Sequence, residues 1–67
     1  MTRYVLVYTT PAGRDYYVRR VDYVQGQTPR IRYTEHLHQA RTWTSLPFVE
    51  AFKLRHRTPR IQVRPLD

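Results

Sequence analysis

The sequence contains no cysteine among its 67 residues. Disulfides and thiolate zinc sites are therefore excluded as a supplement to the hydrophobic core. That core must be small, because a chain of this length buries only about 60% of the surface that it exposes when unfolded. The chain, residues 1–67, forms one domain at most, and a homodimer or a bound partner would stabilise it.

Long apolar runs are also absent. The first ten residues include Tyr4-Val5-Leu6-Val7-Tyr8, which is too short for a signal-peptide core and far too short to span a bilayer. Together with the lack of cysteine, this predicts a soluble protein of a reducing cytoplasm, without a membrane partner.

Acidic residues and lysine are scarce. Five acidic side chains stand against twelve cationic ones, giving a net charge of +7, and Lys53 is the one lysine. Arginine binds phosphates and carboxylates through paired hydrogen bonds and stacks on aromatic rings better than lysine does. The composition therefore favours an anionic partner, although a GC-rich genome would produce the same arginine bias without any binding role.

The residues that are present predict mainly β-strands. Residues 4–8 and 15–24 are β-branched and aromatic runs separated by a turn with proline and glycine, which predicts a hairpin. Residues 25–29 break the pattern, and residues 30–34 resume it as a third strand. Residues 60–64 predict the fourth strand.

Residues 35–43 predict a turn or a short helix, and a longer helix follows. Ser45 can cap its start, Pro47 is tolerated in its first turn, and Thr58-Pro59 ends it. The apolar stripe of this helix consists of Phe48, Val49, Phe52 and Ala51. We expect Phe48 and Phe52 to be buried, and Trp43 to pack against Phe48.

The order β-β-β-turn-α-β predicts an α+β fold, with an antiparallel sheet of about four strands and one α-helix packed on one face. The other face then carries the arginines of the third and fourth strands, Arg30, Arg32, Arg60 and Arg64. A slip of one residue exchanges the two faces of the second strand. Two sets are therefore open for that strand: Arg19 with Tyr17 and Tyr23, or Arg20 with Tyr16.

A basic sheet face with interleaved tyrosines suits single-stranded nucleic acid, because bases stack on rings while guanidinium groups hold phosphates. Tyrosine and arginine are also enriched at protein-protein hot spots, so an acidic protein surface is a second candidate partner. An ordinary solvated face is the third interpretation. Trp43 either packs in the core or serves as an exposed anchor. The candidate binding residues are Arg30, Arg32, Arg60, Arg64, Arg19, Tyr17, Tyr23 and Trp43.

Patterns for catalysis and metal binding are weak. His36, His38 and His56 could in principle ligate a metal, and one of the first two could act as the base of a ribonuclease. No paired carboxylates, glycine-rich phosphate loop or nucleophile motif accompany them. We therefore expect no enzymatic activity, no metal and no cofactor.

Four short motifs occur in a characteristic order: Tyr4-Val5-Leu6-Val7, Tyr16-Tyr17-Val18, Ala40-Arg41-x-Trp43 and Ala51-Phe52. This order resembles small phage-encoded proteins in which a strand and a tyrosine-rich hairpin precede an Ala-Arg-x-aromatic segment and a helix. Such proteins are often host-takeover or anti-defence factors, including anti-CRISPR inhibitors, which act by covering a surface.

The resemblance implies a non-enzymatic inhibitor in the host cytoplasm. Its partner would be an acidic surface of a host protein or nucleoprotein complex, in the defence or transcription machinery. The resemblance assigns no site residues. Direct binding of single-stranded or structured nucleic acid is the alternative function.

Overall fold

The computed structural model of the protein describes residues 2–56 and 60–66. The elements are β1 (Tyr4–Thr9), β2 (Asp15–Asp22), β3 (Arg30–Thr34), a 3-10 turn (Leu37–Gln39), α1 (Leu46–Arg55) and β4 (Ile61–Pro65). The strands pair antiparallel in the order β3-β2-β1-β4, and α1 packs against β1 and β4. The predicted α+β fold is confirmed. The expected helix stop at Thr58-Pro59 lies outside the described residues.

The β1–β2 hairpin closes through a glycine turn. Gly13 has a φ of +86°, a conformation that residues with a side chain rarely adopt. Its amide donates to the carbonyl of Thr10 over 2.9 Å, and the Thr10 amide donates to the carbonyl of Arg14 over 2.8 Å. This turn fixes the register, in which Tyr8 lies opposite Tyr16.

The core lies between the sheet and α1, on what we call the helix side. Its buried residues are Leu6, Val18, Trp43, Val49 and Ile61, and the residues partly buried against them are Tyr4, Tyr8, Ile31, Phe52 and Val63. The strand members alternate along the sequence, since alternate residues of a strand face the same side. Ile31, Ile61 and Val63 lie on the helix side, so the arginines that alternate with them in β3 and β4 lie on the other side.

The helix contributes a narrower stripe to the core than the sequence predicts. Val49 is completely buried and Phe52 is half-buried, but Phe48 is 73% exposed, so the expected burial of Phe48 is wrong. At 3.6 residues per turn, Phe48 is rotated by about 100° from Val49. α1 packs against β1 and β4 with Val49 toward the sheet, which leaves Phe48 at the flank of the helix.

A short segment before the helix is inserted between β1 and β2. Trp43 exchanges two backbone hydrogen bonds with Tyr4, of 2.7 and 2.9 Å, and the Arg41 amide donates to the carbonyl of Val18 over 2.9 Å. β2 bends away at this point through a bulge between Val18 and Arg20, which leaves Arg19 as the extra residue. The predicted turn or short helix is present as the 3-10 turn, and the end of the same region forms an isolated antiparallel bridge between Trp43 and Tyr4.

The side of the sheet away from α1, which we call the basic side, is less open than expected. Val5 and Val7 point to it and are 0% and 1% exposed. The connection between β3 and α1 folds back at this side, where the Thr34 hydroxyl donates to Gln39 Oε1 over 2.9 Å. The middle of the sheet is therefore buried on both sides.

Among the described residues, α1 is ten residues long, and no helix has the length and apolar character needed to cross a bilayer.

Candidate binding surface

The four arginines of the outer strands are exposed, as predicted, but they do not form one row. Because β3 and β4 are the two edges of the sheet, Arg30 and Arg32 lie on one edge and Arg60 and Arg64 on the other. Strands are about 4.8 Å apart, so three steps separate the two pairs by about 14 Å. The structure thus divides the predicted patch into two groups.

The first group is centred on Asp22. Arg32 Nε lies 2.8 Å and Arg20 Nε 3.1 Å from its two carboxylate oxygens. The hydrogen bond from Arg32, aided by the charges of Arg20, Arg32 and Arg30, lowers the pKa of Asp22 against a smaller opposing effect of burial. Three arginines surround a single carboxylate, and the group keeps an excess of positive charge.

The second group joins β4 to β2 across β1. Arg64 Nη1 lies 3.1 Å from Asp15, and the Thr9 hydroxyl donates to Asp15 over 2.6 Å. These two hydrogen bonds, that of Thr9 foremost, lower the pKa of Asp15. Arg64 is opposite Val5 whereas Asp15 is opposite Thr9, so the arginine side chain crosses the sheet diagonally past Val7. Arg60 is exposed just before β4.

The bulge in β2 selects neither of the two alternatives for that strand. Tyr17 precedes the bulge and pairs with Val7 and Thr34, so it faces the basic side together with Arg20. Tyr23 instead faces the helix side, where its hydroxyl lies 3.2 Å from Nε2 of His56. Tyr23 therefore does not share a face with Arg20 and Arg32, and Arg19 is exposed at the bulge itself.

The tyrosines are mostly turned away from the arginines. All six lie in the described part of the chain, and Tyr17 is the one that the register places on the basic side, where it is half-buried. Tyr33 shares the helix side with Tyr8, their ring centroids being 6.0 Å apart, and burial raises the pKa of Tyr33. The expected alternation of tyrosines and arginines on one face does not form.

Trp43 is a core residue, so its use as an exposed anchor is not supported. It is 8% exposed and packs against Phe52 with ring centroids 5.2 Å apart, in place of the expected contact with Phe48. The guanidinium carbon of Arg41 lies 4.9 Å from the Trp43 centroid and 5.4 Å from that of Phe52. Arg41 therefore covers the outer faces of both rings.

Sequence reasoning missed a second surface, on the helix side. A groove of about 410 Å³, which we call the aromatic groove, is lined by Arg41, Trp43, Phe48, Ala51, Phe52 and Arg55. The spacing of Phe48, Ala51, Phe52 and Arg55 places them along one face of α1. The sequence shows this spacing, but the apolar residues in it predict a stripe that faces the core.

The histidines lie in two separate places. The His36 and His38 rings are 5.6 Å apart beside the 3-10 turn, whereas His56 caps the end of α1. Burial, with the charges of Arg55 and Arg41, lowers the pKa of His56. In the part of the chain that the structure describes, no three metal-ligating side chains come together.

No protein-family model, no curated protein and no solved structure matches this chain.

Proposed function

We propose that the protein is a non-enzymatic binding protein that engages an acidic surface of a protein or nucleoprotein complex. The observation that carries this proposal is the excess of exposed arginine on the basic side, where the cations outnumber the two aspartates that pair with them. We define the basic face as Arg20, Arg30, Arg32, Arg60 and Arg64 with Asp15 and Asp22. The resemblance to phage host-takeover and anti-defence proteins makes a host defence or transcription assembly the proposed target.

The aspartates support this role by orienting the arginines. Asp22 forms ion pairs with Arg20 and Arg32, and Asp15 forms one with Arg64 across the sheet. Long side chains that are already ordered lose less conformational entropy when a partner binds. Exposed ion pairs add little stability in themselves, so an incoming carboxylate can share these guanidinium groups at small cost.

The orientation of the tyrosines favours a protein surface over single-stranded nucleic acid. Sequence-tolerant binding of single strands needs open aromatic faces beside the cations, because base stacking supplies much of the affinity. The basic face offers the half-buried Tyr17 and no second tyrosine. Contacts to phosphate alone would be weak at physiological salt.

Single charge reversals test the proposal. Arg30 and Arg60 are exposed and donate no hydrogen bond to an aspartate in the described residues, so Arg30→Glu and Arg60→Glu should leave the melting temperature almost unchanged. Arg14→Glu, in the β1–β2 turn, makes the same charge change at an exposed arginine that is not one of the residues of the basic face. We expect wild type and Arg14→Glu to capture the same partner from nuclease-treated bacterial lysate, and the other two variants to lose it.

Two results would overturn the proposal. One is capture of the same partner by all four proteins, which would make the basic face an ordinary solvated surface. The other is tight binding of a single-stranded oligonucleotide at physiological salt. A complex that uses four phosphates should lose roughly a hundredfold in affinity between about 50 and 200 mM salt, so a salt titration identifies nucleic acid as the partner.

A further inference from the structure

The aromatic groove exposes an apolar side chain that the fold does not use. Phe48 is 73% exposed, although α1 has the completely buried Val49 next to it. Phe48 and Ala51 are flanked by Arg55 on the same helix and by Arg41 on the segment inserted in the sheet. Exposed aromatic side chains in a groove with charged rims are typical of sites that bind a partner.

The charge of the groove is of one sign. Among the residues that the structure describes, its lining includes Arg41 and Arg55 and no acidic residue. Glu50, the one carboxylate of α1, is rotated by about 160° from Phe48 when each residue turns the helix by about 100°. The groove therefore combines an apolar floor with two cations and lacks a carboxylate that would neutralise them.

The position of Arg41 determines what it can bind. Its guanidinium carbon lies over the rings of Trp43 and Phe52, at 4.9 and 5.4 Å from their centroids. A guanidinium held over aromatic rings keeps outward N–H donors, which can hold a carboxylate through two parallel hydrogen bonds. It also covers the ring faces on which a nucleobase would stack, which leaves Phe48 as the one open ring of the lining.

We propose that the aromatic groove binds an acidic peptide segment that carries one bulky apolar side chain. The apolar side chain packs on Phe48 and Ala51, and carboxylates on either side of it pair with Arg41 and Arg55. This site is distinct from the basic face, because it lies on the helix side of the sheet. A second copy of the chain is a poor occupant, since two molecules of net charge +7 repel one another.

The test uses a short amidated peptide of Asp and Glu with one central Phe, and three control ligands. Two are peptides: in one, alanine replaces the Phe, and in the other, lysines replace the acidic residues. The third is a single-stranded oligonucleotide. Trp43 is the one tryptophan of the chain and lines the groove, so its fluorescence reports binding directly. We expect only the acidic peptide with Phe to bind strongly.

Matched variants locate the binding. Phe48→Ala should weaken the peptide complex at least about tenfold, as truncation of a central aromatic contact does. Leu54→Ala is its control, because Leu54 is 77% exposed on α1 and does not line the groove. Arg55→Glu should weaken binding at least about tenfold as well, with Arg14→Glu as its control. Both controls should stay within about twofold of wild type.

Several outcomes would overturn the inference. Peptide binding that is insensitive to Phe48→Ala, or equally reduced by Leu54→Ala, would show that the groove is not the site. Oligonucleotide binding that depends on Phe48 would assign the groove to nucleic acid. Sedimentation that shows a dimer abolished by Phe48→Ala would assign it to self-association. Arg30→Glu changes the basic face and should leave peptide binding to the aromatic groove intact. A failure of the groove inference can therefore be distinguished from a failure of the proposed function of the basic face.

Discussion

Truncation of two phenylalanines of α1, Phe52 and Phe48, should have very different effects on the stability of the protein. Phe52 is packed against the core and contacts Trp43 and His56, with ring centroids 5.2 and 4.4 Å apart. Phe48 is 73% exposed. We expect Phe52→Ala to destabilise the protein severely and Phe48→Ala to leave the free energy of unfolding almost unchanged.

The size of the effect follows from burial. Removal of a buried phenylalanine ring lowers the free energy of unfolding by about 3–5 kcal/mol. Because Phe52 is half-buried, we expect a loss at the lower end of this range, about 3 kcal/mol. A domain of this length has a total stability of about 3–10 kcal/mol. The melting temperature should therefore fall by about 12–24 °C, at about 4–8 °C for each kcal/mol, and the variant can fail to fold at all. For Phe48→Ala, about 0.5 kcal/mol is the largest change expected.

Thermal melting followed by circular dichroism measures both variants under one condition. Urea titration followed by Trp43 fluorescence gives the free energies independently, since that ring packs directly on Phe52. Equal destabilisation by the two substitutions would refute the reasoning, because it would mean that Phe48 is buried as well. An unchanged melting temperature for Phe52→Ala would mean that α1 does not pack in the core through Phe52.

Two further predictions concern the carboxylates and the hairpin turn. The pKa values of Asp15 and Asp22 are lowered from 3.8, so both carboxylates bind protons more weakly in the folded than in the unfolded chain. The stability that they confer is therefore present above about pH 4 and is lost as the pH falls through the lowered pKa values. Melts across this range should show a smaller acid-induced loss for Asp15→Asn/Asp22→Asn, and a loss equal to that of wild type would contradict the role of these ion pairs. Gly13→Ala should cost about 1 kcal/mol through backbone strain at a φ of +86°, since no atom lies near enough to clash with the added carbon. Denaturant titration beside Ala12→Gly checks this value, and a stabilising Gly13→Ala would disprove it.

The order and type of the elements were predictable because each rests on local patterning. The alternation of Ile61 and Val63 determined which way β4 faces, and the glycine turn determined the β1–β2 hairpin. Arg30, Arg32, Arg60 and Arg64 were placed on the exposed side by the same period of two. The division of these arginines into two groups was not predictable, because it depends on strand order, for which a single sequence carries no local signal.

The errors concern positions where tertiary packing outweighs local pattern. Phe48 fits a helical apolar stripe as well as Val49 does, and the rotation of α1 about its axis when it packs on the sheet decides which of the two is buried. The bulge at Arg19 moved Tyr23 away from Tyr17, and no proline or glycine marks it in the sequence. The insertion of Trp43 beside Tyr4 depends on a pairing between distant segments.

The strand order also constrains how the chain folds. β1, β2 and β3 are joined by two hairpins, whose pairings close short loops, whereas β1 and β4 are the two strands farthest apart in the sequence. Pairing of β1 with β4 closes the longest loop, and this closure costs the most chain entropy before any stabilising contact forms. We therefore expect the β1–β4 pairing to form late, together with burial of Ile61, and until then the edge of β1 that β4 will cover is open to pairing with other chains. On this argument, the interval before β4 docks is the period in which the chain is most exposed to aggregation.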